Sequence, residues 1–526
     1  MRTRRRFLKE SAVLVAAAPF VDRAVAAGQN PSEFDYVIVG TSPSGCVLAD
    51  RLSARAGTRV LIVEAGGPDT NPLVRVPGRW TSLLGTDLDW QYVTEPGPAV
   101  DERRVDWPRG RAYGGSTAIH AMAWVRGHRA CFDGWAAGAD AAWRFDALLP
   151  YFRRIEDNSR GASDYLGAGG PLAVADTTDP HDGHLAFLEA ARQRGFAASP
   201  TFDFNGATQE NGAGFYQKNI RDGRRHSAAD AYLRPALDRA SLTAWPDTLV
   251  RRVTFQGARA TGIECARGNE VVTVRATRGV ILAAGSIETP KLLMLSGVGP
   301  ADALRRLGIA VVADRPAVGE NLHDHPRVSI RWTGRRVLPP SSVSAGLLTF
   351  SARPPDRVIP DIQFYVGRGI DSPDDAITLT VALSRVRSRG SVTLRSADPV
   401  DPPAIQPNYY ADPVDLEAHV DGLELARELA MSRAYDALRG DPLAPAVASP
   451  SRADLAAFAR ATSATMFHPV GTCRMGRDAD AVVDSRLCVN GTDRLWVADA
   501  SVMPTVVNSQ TQAAAFVIGL LGSEWI

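Results

Sequence analysis

Asp35-Tyr36-Val37-Ile38-Val39-Gly40-Thr41-Ser42-Pro43-Ser44-Gly45 decides the fold. Five residues of strand character run into a tight turn of small residues, and a helical stretch follows over 45–54. A second buried-strand pattern comes next, Arg59-Val60-Leu61-Ile62-Val63-Glu64. Strand, tight turn, helix, strand is a βαβ unit, and such units imply a parallel sheet. Two distant apolar runs, 279–284 and 495–499, read as further central strands of that sheet. Between about 325 and 454 the character changes. β-branched residues, proline and the alternation in Ala376-Ile377-Thr378-Leu379-Thr380-Val381 predict an antiparallel sheet. The fold class expected is α/β, in fuller terms a two-domain α+β chain. A Rossmann-like nucleotide domain would take 33–175, 220–324 and 455–526; an antiparallel-sheet, substrate-binding domain would take 176–219 and 325–454.

The turn from Gly40 to Gly45 stands where a G-x-G-x-x-G fingerprint belongs. That fingerprint needs a tight turn, close approach of backbone to a pyrophosphate, and a helix N-terminus facing the phosphate charge. Gly40 and Gly45 supply its outer glycines, with Thr41 between strand and helix. Ser42 replaces the middle glycine, and its hydroxyl can offer a phosphate oxygen a hydrogen bond where glycine offers clearance. Pro43 suits the first helical turn, where its missing N–H is not needed. Glu64 ends the second strand 19 residues after Gly45 (64 − 45), where an acid binds the adenosine ribose hydroxyls. A dinucleotide site is expected here; the turn and the acid do not separate FAD from NAD.

The chain has 526 residues, 45% apolar and 22% charged, long enough to bury a large core without disulfides or metals. At roughly 150 residues per domain, two to four domains or subdomains are expected. A net charge of +1, with no long basic run beyond the first ten residues, removes the electrostatic case for nucleic acid or a polybasic membrane patch. Cys46, Cys131, Cys265, Cys473 and Cys488 never fall at CxxC spacing, so neither a zinc site nor a disulfide framework is indicated. Thr3-Arg4-Arg5-Arg6-Phe7-Leu8-Lys9 reads as a twin-arginine signal, followed by a short apolar stretch and the small-x-small run Ala24-Val25-Ala26. Residues 1–27 are expected to direct export of the folded protein to the periplasm or outside the cell. No segment reads as a membrane span.

Gly110-Arg111-Ala112-Tyr113-Gly114-Gly115-Ser116-Thr117-Ala118-Ile119-His120, continuing to Asp133, resembles the first signature of the glucose-methanol-choline (GMC) oxidoreductases. Gly285-Ser286-Ile287-Glu288-Thr289-Pro290-Lys291 and the residues up to Gly299 resemble the second. Gly319-Glu320-Asn321-Leu322-His323-Asp324-His325 and His468-Pro469-Val470-Gly471-Thr472 are similar to further family blocks. Tyr113 departs from the aliphatic residue or Trp usual in the first signature. The resemblance runs from about residue 33 to the end and implies FAD. It places Gly114, Gly115, Ser116 and His120 at the isoalloxazine, Val250 on the adenine side, Ala284 near the adenosine end, and Asp499 with Ala500 near the pyrophosphate and flavin. Some relatives bond the flavin covalently through a histidine at the position of Ile119, so non-covalent FAD is expected.

An alcohol gives up hydride readily only as its O–H proton leaves, so a base beside the hydroxyl is needed. Imidazole suits that task because its pKa lies near working pH. His468 matches the family's catalytic histidine. The family's second polar residue, His or Asn, falls on Gln510, with Asn508 competing if the turn is shifted. Glutamine can orient a hydroxyl but cannot take its proton. The activity implied is oxidation of a primary or secondary alcohol to the carbonyl, by proton abstraction at His468 and hydride transfer to flavin N5. Oxygen, a quinone or a cytochrome would take the electrons. A hydroxynitrile-type lyase on the same fold is the alternative, and a flavin-fold binding module a third reading. No metal site is expected at His323, Asp324 and His325. His181 and His184 read as surface loop residues, Phe467 and Trp124 as apolar walls of the substrate pocket.

Overall fold

The computed structural model describes residues 32–339, 341–354, 356–367 and 376–526. The twin-arginine segment, 1–27, lies outside the described residues. Strand β1 (Glu33–Val39) runs parallel to β2 (Val60–Val63) and to the end of β3 (Glu270–Leu282). Tyr36–Val39 stand opposite both Val60–Val63 and Gly279–Leu282. The last four residues of β1 and all of β2 are buried, because helices and loops cover both faces, as a parallel sheet requires. Leu242–Trp245 extends the sheet beyond β2, and Leu495–Val497 lies parallel to the end of β3. The first half of β3 turns away and pairs antiparallel with Arg259–Arg267, which pairs with Thr248–Gln256. Seven strands result, drawn from both ends of the chain.

Helix α1 (Pro43–Ser53) begins on Ser42, whose hydroxyl accepts the Gly45 N–H, with Pro43 in its first turn. Its close seating depends on glycine. A Cβ on Gly45 would lie 2.1 Å from the Gly40 carbonyl oxygen, and one on Gly40, whose φ is +99°, 2.5 Å from the Ala283 oxygen. Helix α2 (Gly285–Leu295) leaves the end of β3 directly. The C-terminal helix α3 (Gln512–Trp525) packs on α1 through Gly519, where a Cβ would come 2.6 Å from Ser44 Cα. The Ser44 hydroxyl donates to the Ala515 carbonyl at 2.6 Å. This contact brings the start of α3 up to the turn between β1 and α1.

The second sheet has eight strands. Strand β4 (Pro326–Gly334) pairs antiparallel with Ala376–Leu383 and, on its other side, with Arg439–Ala444; Ala464–Thr465 pairs with its first residues. Ile362–Val366, Ala345–Thr349 and Gly212–Phe215 continue the sheet antiparallel, and Ala197–Ala198 closes it in parallel. Helix Pro413–Ala430 lies close across it at Gly422, where a Cβ would come 2.7 Å from Val381.

His181 and His184 are not surface loop residues. His181 caps helix Asp182–Gln193, and His184, fully buried, stacks on it with ring centroids 3.7 Å apart. The i, i+3 spacing of His184 and Phe187 puts both on the helix's buried face. All five cysteines are free. No helix among the described residues is long and apolar enough to cross a membrane.

Gly45→Ala drives a methyl group into the Gly40 carbonyl and should cost about 1–3 kcal/mol or more, the range for overpacking. Gly134→Ala, with nothing within 4 Å of the added Cβ, should be neutral or slightly stabilising. Thermal unfolding of the two variants checks this; an unchanged melting temperature for Gly45→Ala would contradict the packing described.

Candidate active site

The carboxyl ends of the parallel strands meet at one edge, where ligands bind in open α/β sheets. Gly40 follows β1, Glu64 follows β2, Ala284 lies just past β3, and Asp499 lies just past Leu495–Val497. One cleft runs along this edge and on toward the second sheet, with about 1940 Å³ of empty space including its mouth. Gly40, Thr41, Ser42, Glu64 and Val250 line one end. The Glu64 carboxylate accepts the Thr41 N–H (2.9 Å), the Thr41 hydroxyl (2.6 Å) and the Gly66 N–H (3.0 Å). Burial pushes its pKa up, and these three donors oppose that shift. The Thr41 oxygen also accepts the Gly114 N–H at 3.2 Å, tying the first turn to the second glycine-rich loop. Gly45 does not line the cleft; its role is packing.

Ala284, Asp499 and Ala500 line the middle. The Asp499 carboxylate is fully engaged with its neighbours, accepting Gly285 N–H (2.8 Å), the Thr289 hydroxyl (2.6 Å) and Ser501 N–H (2.8 Å). It holds the start of α2 against the loop after Val497. Gly115 and Ser116 form the far wall with His120, Ile119, His468 and Gln510. Gly114 lies behind this wall at φ +89°, and Gly115 passes the first turn at φ +53°, where an added Cβ would sit 3.3 Å from Ser42 Cα. Both ring nitrogens of His120 are engaged: Nδ1 accepts from Arg225 (2.7 Å) and the Met122 N–H (3.2 Å), and Nε2 meets Gln512 Oε1 at 2.8 Å. Burial, with the Arg225 cation behind it, holds the ring neutral, its pKa pulled down to about 3.

Gln510, 7% exposed, accepts the Ser509 hydroxyl on Oε1 at 2.7 Å, while Ser509 accepts from Gln363 of the second sheet at 3.1 Å. Its buried Nε2 finds no partner among the described residues. Asn508 is turned the other way, its Oδ1 accepting the His128 N–H at 2.6 Å. Trp124 is not a pocket wall; it is fully buried in the core and donates its indole N–H to Glu156 at 2.7 Å. Phe467 does line the cleft, edge-on to Trp80 with centroids 6.2 Å apart.

His468 is held from three sides. Its backbone N–H donates to Asp324 Oδ1 at 2.8 Å, and Asp324 in turn takes the Tyr409 hydroxyl. Phe467 just before it adopts φ +69°, a conformation a bulky residue accepts only when fixed from outside. The Thr465 hydroxyl accepts the Phe467 N–H (2.7 Å), and Arg109 donates to the Phe467 carbonyl (2.9 Å). The imidazole itself meets His325, Nδ1 to Nδ1, at 2.9 Å with the rings nearly perpendicular. Burial first, then His325 and Arg109, hold its pKa well below the ordinary value, so the ring is neutral. Arg109, Asp324 and the ring contact of His325 carry no role in the sequence reading. The stretch 319–325 stood out only as a block, and nothing local marks which of its side chains reach His468.

These residues fit a bound dinucleotide. A buried carboxylate lies at one end, the two glycine-bearing turns at Gly40 and Gly115 line the cleft between, and an orphaned amide N–H at Gln510 awaits an acceptor. The family described as GMC oxidoreductase matches over residues 34–327 and 386–519. Choline dehydrogenase, mitochondrial, of Homo sapiens is 38% identical, the alignment covering 94% of this chain and 90% of that protein. Oxygen-dependent choline dehydrogenase of Rhizobium etli is 37% identical over 94% of this chain and 95% of its own. The crystal structure of pyridoxine 4-oxidase from Mesorbium loti superposes with a TM-score of 0.88 at 34% identity, covering 93% of this chain and 98% of that one. The cofactor is FAD.

Thr41→Val keeps the shape of the first turn but removes a donor to Glu64 and the acceptor of Gly114 N–H. Leaving such groups unpaired costs about 1–3 kcal/mol, so FAD should be retained roughly tenfold or more less tightly. The flavin-to-protein absorbance ratio across a dilution series reads this; an unaltered ratio would mean that the Thr41 link does not hold the cofactor end together.

Proposed function

The chain belongs to the GMC oxidoreductase family and is an FAD-dependent alcohol oxidoreductase, and from that premise we propose that it oxidises a primary or secondary alcohol to the carbonyl with His468 as the base. The observation that carries this reading is a buried, neutral imidazole lining the same cleft as the dinucleotide turn, its Nδ1 taken by His325. Bound FAD supplies the two-electron acceptor. The protein's own part is to hold the hydroxyl and move its proton. Gln510 Nε2, a donor without a partner among the described residues, orients the alcohol oxygen, and His468 Nε2 receives the proton. Since glutamine cannot take a proton, His468 acts as the sole base of the pair. The Arg109 cation near His468 disfavours a permanently charged imidazole and keeps it ready to accept.

FAD is held without a covalent bond, because Ile119 stands where some relatives are linked through histidine and both nitrogens of His120 are engaged. The names of the relatives put choline and pyridoxine in the first panel of alcohols. The electron acceptor is oxygen, a quinone or a cytochrome. Residues 1–27, with Arg4-Arg5 followed by Phe7-Leu8-Lys9, support export through the twin-arginine route after FAD has bound.

Anaerobic addition of a substrate alcohol should bleach the bound flavin, and His468→Ala should slow that bleaching by about 10²–10⁴-fold while FAD content stays the same. Mild acid should release the flavin intact. Release of a carbonyl and cyanide from a hydroxynitrile with the flavin left oxidised would favour the lyase reading instead, and full-speed bleaching by His468→Ala would remove the imidazole from the mechanism. Lysines in place of Arg4 and Arg5 should leave the holoprotein inside the cell, as read by fractionation; continued export would discard the twin-arginine assignment.

A further inference from the structure

Two short segments are zipped together behind the cleft. His323 and Val470 exchange backbone hydrogen bonds at 3.0 and 2.9 Å, and the Met466 N–H donates to the His325 carbonyl at 2.9 Å. Pro326 and Arg327 pair in turn with Thr465 and Ala464. This register sets His325, fully buried, against the inner edge of the His468 ring. A contact between two Nδ1 atoms at 2.9 Å needs one proton between them. Both rings are neutral, and burial brings His325 down to about 4. Each ring therefore carries one N–H, and the position of that shared proton fixes the tautomer of His468.

Two arrangements are available. In one, His468 donates from Nδ1, and its Nε2 presents a lone pair to the cleft. In the other, His325 donates, and His468 Nε2 carries a hydrogen and cannot accept a proton. The reading of His468 as the base decides between them, since only the first arrangement leaves its Nε2 able to take a proton. His325 Nε2, the nitrogen away from His468, is buried and has no hydrogen-bond partner among the described residues.

We infer that His325 is a positioning residue that accepts the Nδ1–H of His468 and so fixes His468 in the tautomer whose Nε2 can take the alcohol proton. This rests on the reading of His468 as the base. It casts a neutral imidazole in the part that a carboxylate plays in a Ser-His-Asp triad, holding the tautomer and orientation of the base. The Asp324 carboxylate is spent on the His468 backbone and on Tyr409. During turnover the alcohol O–H bond breaks, its proton goes to His468 Nε2, and the Nδ1–H stays in place, donating to His325.

The test uses FAD-loaded protein labelled with ¹⁵N-histidine, the His468 signals being identified by their loss in His468→Gln. A protonated Nδ1 and a bare Nε2 in the resting enzyme are expected; a protonated Nε2 overturns the inference. This measurement needs no substrate, so it stands or falls separately from the bleaching experiment that tests the base. His325→Leu removes the acceptor and should slow flavin reduction by about a hundredfold or more. His325→Asn, whose amide oxygen can accept the same hydrogen, should recover to within about tenfold of the parent. Equal rates for Leu and Asn at matched FAD content would make His325 mere packing and overturn its positioning role.

Discussion

Where β1 ends, the backbones of Gly40 and Ala283 pass with no room for a Cβ, and the rest of the cleft follows from that approach. Any side chain at position 40 would push the ends of β1 and β3 apart. The turn could then no longer bring α1 to begin at the strand edge, with Ser44 tucked under Gly519 of α3. Through α3 the same constraint reaches the chemistry, because Gln510 and Gln512 sit at or just before its start. A single steric requirement thus places the turn after β1, the Glu64 carboxylate and the loop carrying Gln510 at one edge of the sheet. Glycine costs conformational entropy wherever it is used, and here the return is a site assembled from segments almost 500 residues apart.

The two sheets supply different halves of the site. The first ends in backbone turns and buried carboxylates that suit a charged, extended cofactor. The second sends in side chains: β4 begins immediately after His325, and the strand pairing with it leads through Thr465 into Phe467 and His468. Placing His468 on segments tied to a sheet, rather than on a free loop, lets Asp324, Arg109 and Thr465 fix its backbone at a strained neighbour. Strain of that kind persists only where surrounding contacts over-determine it. Its location directly before the imidazole is therefore part of how the ring is aimed.

Much of this was legible in the sequence because the physics there is local. Hydrophobic runs of five or six residues marked four strands of the parallel sheet, though not Leu242–Trp245, and the spacing from Gly45 singled out Glu64, which lines the cleft. Signatures spanning 110–133 and 285–299 carried the family and with it FAD. What could not be read depends on contacts between distant segments. Nothing near Trp124 says that its indole faces Glu156 rather than the cleft, since an aromatic beside a signature looks the same in either setting. His184 hid its burial because the helix it belongs to opens with polar residues. Ser42, read as a partner for phosphate, caps its own helix through its hydroxyl. The pairing of His325 with His468 spans 143 residues and exists only once β4 and Ala464–Thr465 are in register.

The part proposed for His468 asks for an imidazole that is neutral and out of water, and burial supplies both conditions at a cost that the whole fold shares. Besides His468 and His325, the buried rings of His120, His184, His323 and His419 are all held below the ordinary histidine pKa by desolvation. In the unfolded chain each would bind a proton near pH 6.5, so their contribution is neutral above that pH and turns against the fold as pH drops toward the folded values. The acids lie the other way. Burial raises Glu64, Asp324 and Asp499, which makes ionised carboxylates costly at neutral pH wherever donors are too few. Asp324 and Asp499 are met by donors from the protein itself. Glu64, met by Thr41 and Gly66, also lines the cleft, where a ligand hydroxyl can add a further donor. Binding that favours only the folded state stabilises it by mass action. The loaded protein is accordingly the form for which this distribution of buried charge is balanced.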